Sequence, residues 1–423
     1  AFTQGWGESS TQGQGGVTLE HRFGGGHVFR STGWGLWRDV FNPIPFAVVE
    51  LSRGAAGFRS EYEGATRLSP AVSLAWTTGV DVSSQGDDRL ESENAGVPPG
   101  GGLTRPGNPT IDQREEVLSV GPFLQARAAL GNRWVVTGGA RYDYFDFSAD
   151  DNFLADGDQS GGRTLGEVSP MVGATFAVTD QFNLYSNFAT AFQTPTTVEL
   201  SNTPTGAGGF NEELDPEDLR TFEIGARGAL DPLGVRFAFG AYFSRLENAL
   251  VQFTRPDEAT FFRNAGEASR NGIEAQVEWS PMPRLSTRVA YTYQDYDFIR
   301  FVAPEGDFSG NKEPGVPPHQ FFAAANYKAP FGLFSAVELR SLGAYPVNSS
   351  NSIANWAYQV VNLRFGFDRR VGGVGIRPYL GIDNLFDERY NASAITNSVG
   401  NRFFEPAPGR EVYVGVTISA ELF

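Results

Sequence analysis

Long segments of strict period-two alternation dominate this sequence and confine it to β architectures. In the last segment Val412, Val414, Val416, Ile418, Ala420 and Leu422 share one face, and Glu411, Tyr413, Gly415, Thr417, Ser419 and Glu421 share the other. Successive strand side chains point to opposite faces, so such a segment has one apolar and one polar surface. Val374, Ile376, Pro378, Leu380 and Ile382 against Gly375, Arg377, Tyr379, Gly381 and Asp383 repeat the pattern. The spacing predicts seventeen strands: 15–23, 27–37, 46–62, 66–84, 113–130, 132–148, 165–178, 181–192, 218–230, 234–253, 269–280, 284–300, 318–330, 332–345, 354–369, 374–388 and 409–423. Globular strands run about 5–6 residues. A strand tilted across a bilayer needs about 9–11. Segment length therefore favours a membrane barrel over a soluble sandwich or propeller.

The joins sort by length. Short ones fall at Gly24–Gly26, Glu63–Ala65, Gly131, Thr179-Asp180, Asp231–Leu233, Pro281–Pro283, Phe331 and Arg370–Gly373. Long ones fall between them at 85–112, 149–164, 193–217, 254–268, 301–317 and 389–408, with joins of medium length at 38–45 and 346–353. Such alternation is expected of a transmembrane barrel with short periplasmic turns and long extracellular loops. A soluble meander has no reason to sort its loops by side.

Composition narrows the functional classes. The 423 residues carry a net charge of −16, which argues against a nucleic-acid partner. There is no Cys, which excludes disulfides, thiolate metal sites and thiol catalysis. No apolar run is long enough for a membrane helix. The chain opens Ala1-Phe2-Thr3 without a secretory signal, as if within something larger.

Gly381-Ile382-Asp383-Asn384-Leu385-Phe386-Asp387-Glu388-Arg389-Tyr390 resembles the NLFD–Y signature of TonB-dependent outer-membrane receptors. Pro406-Ala407-Pro408-Gly409-Arg410 then resembles that family's closing PGR strand, and Phe423 its terminal aromatic, which the assembly machinery reads. Three upstream stretches are similar to family motifs in the same order. Phe192-Gln193-Thr194-Pro195 through Glu199-Leu200 matches an F–PxxxEL segment. Leu214-Asp215-Pro216-Glu217 with Glu223-Ile224-Gly225 matches LxPE–ExG. Asn264-Ala265-Gly266 with Gly272-Ile273-Glu274 matches NxG–GxE. The resemblance is motif-specific over roughly 181–423 and one of pattern only before that. It implies an all-β, antiparallel, up-and-down transmembrane barrel, with about seventeen of the family's 22 strands present. Residues 1–423 then form a barrel domain lacking its first strands and the N-terminal plug that contacts TonB.

Asn384, Leu385, Phe386, Asp387, Tyr390, Pro408, Gly409, Arg410 and Phe423 are expected to be structural, because Asx side chains at a strand end bond local backbone. Three acidic groups, Asp87, Asp88 and Glu91, then Asp150, Asp151, Asp156 and Asp158, then Glu212, Glu213 and Asp215, lack calcium-loop spacing and are expected to be solvated loop faces. His21 and His27 flank a periplasmic turn and His319 opens a strand, so heme ligation is not expected. No nucleophile motif stands near a His, and no metal, cofactor or catalytic residue is called for. The aromatics Tyr142, Tyr144, Phe145, Phe147, Tyr291, Tyr293, Tyr296 and Phe298 are expected mostly in an interfacial girdle. Arg227, Arg236, Arg364, Arg377, Asp368 and Asp383 are expected on the lumen face, since charge facing lipid costs about 2–4 kcal/mol for Arg or Lys at the midplane.

By resemblance the protein is expected in the outer membrane of a Gram-negative bacterium, surrounded by lipid. It would bind a scarce extracellular solute, a ferric siderophore above all, and import it with energy delivered through TonB. A passive porin-like channel is the alternative. Ligand contacts are expected in the loop after the eighth strand, at Phe192, Gln193, Thr194, Phe210 and Asn211, because loops on rigid scaffolds carry recognition.

Overall fold

The computed structural model describes residues 7–44, 47–96, 104–201, 203–204, 210–254, 260–264, 266–303, 306–371 and 373–420. Phe423 and Ala1–Thr3 lie outside the described residues. The elements run β1 (Ser9–Arg22), β2 (Val28–Pro43), β3 (Ala47–Ser69), β4 (Val72–Asn94), β5 (Pro106–Leu130), β6 (Trp134–Asp151), β7 (Gly161–Thr179) and β8 (Phe182–Gln193). A short helix α1 (Thr197–Ser201) precedes β9 (Glu217–Leu230), β10 (Val235–Glu247), β11 (Leu250–Thr254), β12 (Thr260–Asn264), β13 (Gly266–Met282) and β14 (Leu285–Ala303). Then come β15 (Gly306–Asp307), β16 (His319–Lys328), β17 (Leu333–Leu342), β18 (Tyr345–Pro346), β19 (Ala354–Asn355) and β20 (Tyr358–Phe367). The last are β21 (Arg369–Val371), β22 (Val374–Asp383), β23 (Asn391–Ala394), β24 (Phe404–Pro406) and β25 (Glu411–Ala420).

Nineteen strands belong to one antiparallel sheet. Three separate hairpins, β11–β12, β18–β19 and β23–β24, decorate the long loops. Each of the seventeen segments expected from the alternation overlaps one long strand of the sheet, several of which run further than expected, and the fragments β15 and β21 complete the nineteen.

By its contacts the chain divides into two compact units. One comprises Ala1–Gly173, Ala189–Asp218 and Asn248–Asn264, the other Ala174–Phe188, Leu219–Glu247 and Ala265–Phe423. In the first, β1 to β6 pair in sequence order, each with the next. One face exposes Val17, Leu19, Phe29, Phe58, Leu124 and Val136. The other carries a ladder of ion pairs, among them Arg30–Glu61, Arg53–Asp87 and Arg141–Asp143. In the second unit the most exposed row is Val412, Val414, Val416 and Ile418, at 60–79% of full exposure. Behind it Tyr379 and Tyr413 alternate with Gly381 and Gly415 in register. Each ring covers the facing strand's glycine, where a Cβ would stand 2.2–2.4 Å from ring atoms. Arg364 lies over both rings and donates to the Tyr413 hydroxyl at 3.1 Å. Arg377 lies 4.3 Å from the Phe334 ring, and Asp368 accepts from Lys328 at 2.8 Å.

Two local expectations are corrected. The turn expected at Glu63–Ala65 lies instead at Pro70-Ala71, and Gly64 pairs with Trp76 in mid-strand. Gly64 resembles turn punctuation because it is a glycine, but its role is to admit the Trp76 indole. A Cβ there would stand 2.5 Å from the ring, which sits beside Tyr62 and His27. The true turn takes its Pro where no ladder hydrogen bond is needed, and the Arg67 guanidinium donates to the Ser69 and Pro70 carbonyls. Replacing Gly64 by Val should lower the unfolding free energy by about 1–3 kcal/mol through overpacking. A detergent-purified barrel whose heat-induced gel shift occurs at the wild-type temperature would contradict the mid-strand placement.

The second correction concerns the long join at 85–112. Most of it is strand: β4 runs to Asn94 and β5 begins at Pro106. The aromatic expectation also divides. Tyr142 and Tyr144 lie on the apolar face of β6, but Phe145 and Phe147 share the face of Arg141 and Asp143, because the face changes at every residue. On β14, Tyr296 likewise turns to the polar face, where its hydroxyl meets that of Tyr242 at 3.0 Å.

Candidate functional site

In the first unit the loop after β8 folds into a compact knob. Thr196 and Glu199 form a reciprocal capping box. The Glu199 carboxylate accepts from the Thr196 N–H at 2.7 Å, and the Thr196 hydroxyl accepts from the Glu199 N–H at 3.2 Å. This starts α1 and points Leu200 into a cluster with Phe147, Leu165 and Leu214. Leu200 is 0% and Leu214 1% exposed. The Asn264 side chain brackets the backbone of Asp215, donating to its carbonyl at 2.8 Å and accepting from its N–H at 2.7 Å. The three upstream motifs thus meet in one place, each supplying an anchor for this knob.

Beneath the knob lies a buried polar network. Asp87 and Glu115 are directly opposite in register, and both are nearly fully buried. Arg53 holds Asp87 with two hydrogen bonds of 2.8 and 2.6 Å. Arg89, 7% exposed, reaches Glu91, Glu115 and the Ser201 hydroxyl of α1, the last at 2.7 Å. Gln113 adds a 2.6 Å hydrogen bond to Glu115. Asp87, Asp88 and Glu91, expected to form a loop face, are therefore strand residues with arginine partners, Asp88 pairing with Arg114 at 2.9 Å.

In the other acidic groups Asp151 and Asp158 serve local backbone, and Asp215 has an arginine partner. Asp151 accepts from the N–H groups of Phe153 and Gln159. The Ser160 hydroxyl and N–H hold the Asp158 carboxyl below its usual range. Asp215 pairs with Arg163 at 2.8 Å. Among the described residues no group of three or more His, Asp or Glu is arranged to hold a metal ion.

The five expected ligand contacts divide. Phe192 packs edge-on against Phe145 at 6.1 Å, and Phe210 packs against the Leu200 cluster. Asn211 is 7% exposed; its N–H donates to the Leu200 carbonyl and its side chain accepts from the Glu213 N–H. Gln193 is exposed and Thr194 partly so.

In the second unit two long loops, 301–317 and 389–408, and the medium join at 346–353 are pinned together by asparagine side chains. Asn351 exchanges hydrogen bonds with the Lys312 backbone at 2.8 and 2.9 Å. Asn311 donates to the Ser349 carbonyl, and Asn397 accepts from the Ser349 N–H. A small core of Tyr345, Val347 and Phe403 lies below. Asn384, in the left-handed region at φ 51°, closes the start of the last loop through both its amide groups to the Glu388 backbone at 2.8 Å. Leu385 donates to the Val361 carbonyl. The Asp387 carboxylate accepts from the Arg410 N–H at 2.9 Å beside Gly409 and the exposed Pro408. The Tyr390 ring packs tilted against that of Tyr358 with centres 4.5 Å apart, whereas Phe386 stays 72% exposed. Between the segment 352–358 and the last loop, 387–409, lies a cavity of about 930 Å³. Its walls include Trp356, 84% exposed, which the sequence offered no reason to single out.

A family description, TonB dependent receptor-like beta-barrel, matches residues 2–385. The probable TonB-dependent siderophore receptor PiuA of Acinetobacter baumannii is 23% identical over 323 residues, 73% of this chain and 41% of that protein. The ferrichrome outer membrane transporter/phage receptor of Escherichia coli K12 is 23% identical over 278 residues, 64% of this chain and 35% of that protein. The chain therefore spans about two-fifths or less of the length of these relatives. Among solved structures, the unliganded ferric citrate transporter FecA superposes with a TM-score of 0.80 at 16% identity, covering 97% of this chain and 62% of that one. The copper transporter OprC gives 0.75 at 16% identity, covering 97% and 66%. The family match extends over most of the chain, and this chain belongs to that family: the TonB-dependent receptor β-barrels.

Proposed function

We propose that this chain is the barrel portion of an outer-membrane receptor of a Gram-negative bacterium. The receptor binds a ferric siderophore outside the cell and imports it with energy delivered through TonB. The observation that carries the reading is the family match over residues 2–385, supported by one relative named a probable siderophore receptor and another named a ferrichrome transporter. The plug and its TonB contact would belong to a part of the receptor outside this chain. No step of this function is enzymatic. The alternative, a passive porin-like channel, predicts flux that needs neither TonB nor a specific solute.

Uptake of radioactive iron separates the two. Cells carrying the full gene should accumulate iron from at least one siderophore class under iron limitation. That accumulation should fall to background in a strain without TonB. Accumulation that persists without TonB, together with unselective leakage of small sugars, would overturn the receptor reading in favour of the channel.

A further inference from the structure

We propose that the membrane-facing side of the first unit carries a headgroup site for an amine-bearing phospholipid, built from His27, Tyr62 and Trp76. The proposal rests on the outer-membrane placement argued above and is independent of the imported solute. The β1–β2 turn is closed by the Phe23 N–H, which donates to the His27 carbonyl at 2.8 Å. His27 then stands beside two rings of the next hairpin, with ring centres 5.7 Å from Tyr62 and 6.3 Å from Trp76. Tyr62 and Trp76 lie 5.5 Å apart, and Phe23 lies 5.9 Å from Tyr62. The rings hold one another in place, and Gly64 gives the indole its seat. Tyr62 pairs with Phe29 in register, so the cluster shares the apolar face of Leu19, Phe29 and Phe58.

The cluster has the chemistry to receive a zwitterion. Nδ1 of His27 is buried and has no hydrogen-bond partner. An orphaned N–H is the rarer defect in a protein interior, so the neutral ring carries its proton on Nε2, which is left to donate to a ligand oxygen. A lipid phosphate supplies that oxygen. Tyr62 and Trp76 offer ring faces to which an ammonium is drawn. Three arginines of the same strand ends are engaged elsewhere: Arg22 with Glu20, Arg30 with Glu61 and Glu63, and Arg67 with the Ser69 and Pro70 carbonyls. A headgroup that brings its own cation therefore fits this site better than a purely anionic one. The row of Leu19, Phe29 and Phe58 continues from the cluster along the strands and suits acyl chains, so the occupant is a lipid and not a free phosphoamine. Interfacial Trp and Tyr settle at headgroup level without choosing a headgroup; the histidine donor among them is what adds the choice.

The receptor, purified in detergent as its full gene encodes it and stripped of lipid, would be titrated with phosphatidylethanolamine and with the same lipid N-acetylated. Bound lipid is counted by native mass spectrometry. Phosphatidylethanolamine should bind saturably and about fivefold more tightly than the acetylated form, which keeps the phosphate but loses the cation. His27→Phe, which keeps a ring and removes the donor, should weaken binding about fivefold. His27→Gln, which restores an N–H donor, should recover most of that loss. A heat-induced gel shift at the wild-type temperature shows that each variant is folded, and the comparison of the two lipids needs no variant at all. Equal affinity for the two lipids, or affinity unchanged in a folded His27→Phe, would overturn the site. Extraction of the receptor without detergent would instead overturn the membrane placement, and the site with it.

Discussion

Replacing Arg89 by Met lowers the unfolding free energy of the barrel by about 3–5 kcal/mol, the range for removing one partner of a buried ion pair. Asp87 and Glu115 are 1% and 2% exposed and stand opposite each other, where like charges repel. Arg53 covers the first carboxylate and Arg89 the second. Without Arg89, Glu115 keeps only the neutral Gln113 amide, and Ser201 loses the bond that joins α1 to the strands. The remedy identifies the cause. Arg89→Met with Glu115→Gln removes the charge left at Glu115, and the double variant should recover part of the loss, the remainder reflecting Glu91, which also loses the guanidinium. The measurement is a denaturant midpoint, read from the gel mobility of the detergent-solubilised barrel. If Arg89→Met unfolds at the wild-type midpoint, the network contributes nothing to stability. If the double variant is no better than the single one, packing of the guanidinium, not charge, is what was lost.

This network also marks where sequence reading stops. Val412 to Ile418 announce their strand because one face meets an apolar environment, and hydrophobic alternation is the primary signal for a half-buried strand. From Gln85 to Glu91 the strand continues, but neither face is uniformly apolar and the residues resemble a loop. Their pairing with Arg53 and Arg114 depends on register between strands, which no single segment reveals. The same limit governs the knob. Leu200 and Leu214 stood inside recognisable motifs, yet α1 has five residues, too few for a helical period to show. That Thr196 and Glu199 form a capping box was legible in their spacing; that Leu200 reaches Phe147 was not. The asparagine pins of the second unit join residues far apart in sequence, such as Ser349 and Asn397, and leave no local trace. Trp356 stayed invisible for the opposite reason. The alternation placed it inside the strand expected at 354–369, where one more aromatic breaks no pattern, and only its exposure beside a cavity distinguishes it.

Truncating Leu200 to Ala should open the knob without unfolding the barrel. Leu200 is fully buried, and loss of a buried Leu side chain costs about 2–5 kcal/mol. A helix this short has no stability of its own. Its order comes from Leu200 and Leu214 in the Phe147 cluster, from the Thr196 cap and from the Arg89–Ser201 bond. Local segments open at free energies well below that of global unfolding, so the loss falls on the knob first. Protease added to intact cells should therefore cut between 194 and 216 in Leu200→Ala and leave the wild type whole. The heat-induced gel shift of the strands should stay near its wild-type temperature. Thr196→Ala, which removes only the cap, costs about 1 kcal/mol and should raise the cleavage rate about fivefold. That order, cap below anchor, separates a docked knob from a loop that is merely short. A Leu200→Ala protein as resistant as wild type would show that the surrounding cluster holds the segment without it. A protein that loses the gel shift altogether would make the knob part of the barrel's own stability. Should cleavage follow the expected order, siderophore uptake in the same variants tests Gln193 and Thr194. They are the expected ligand contacts that the packing leaves free, and they enter the knob at its first turn.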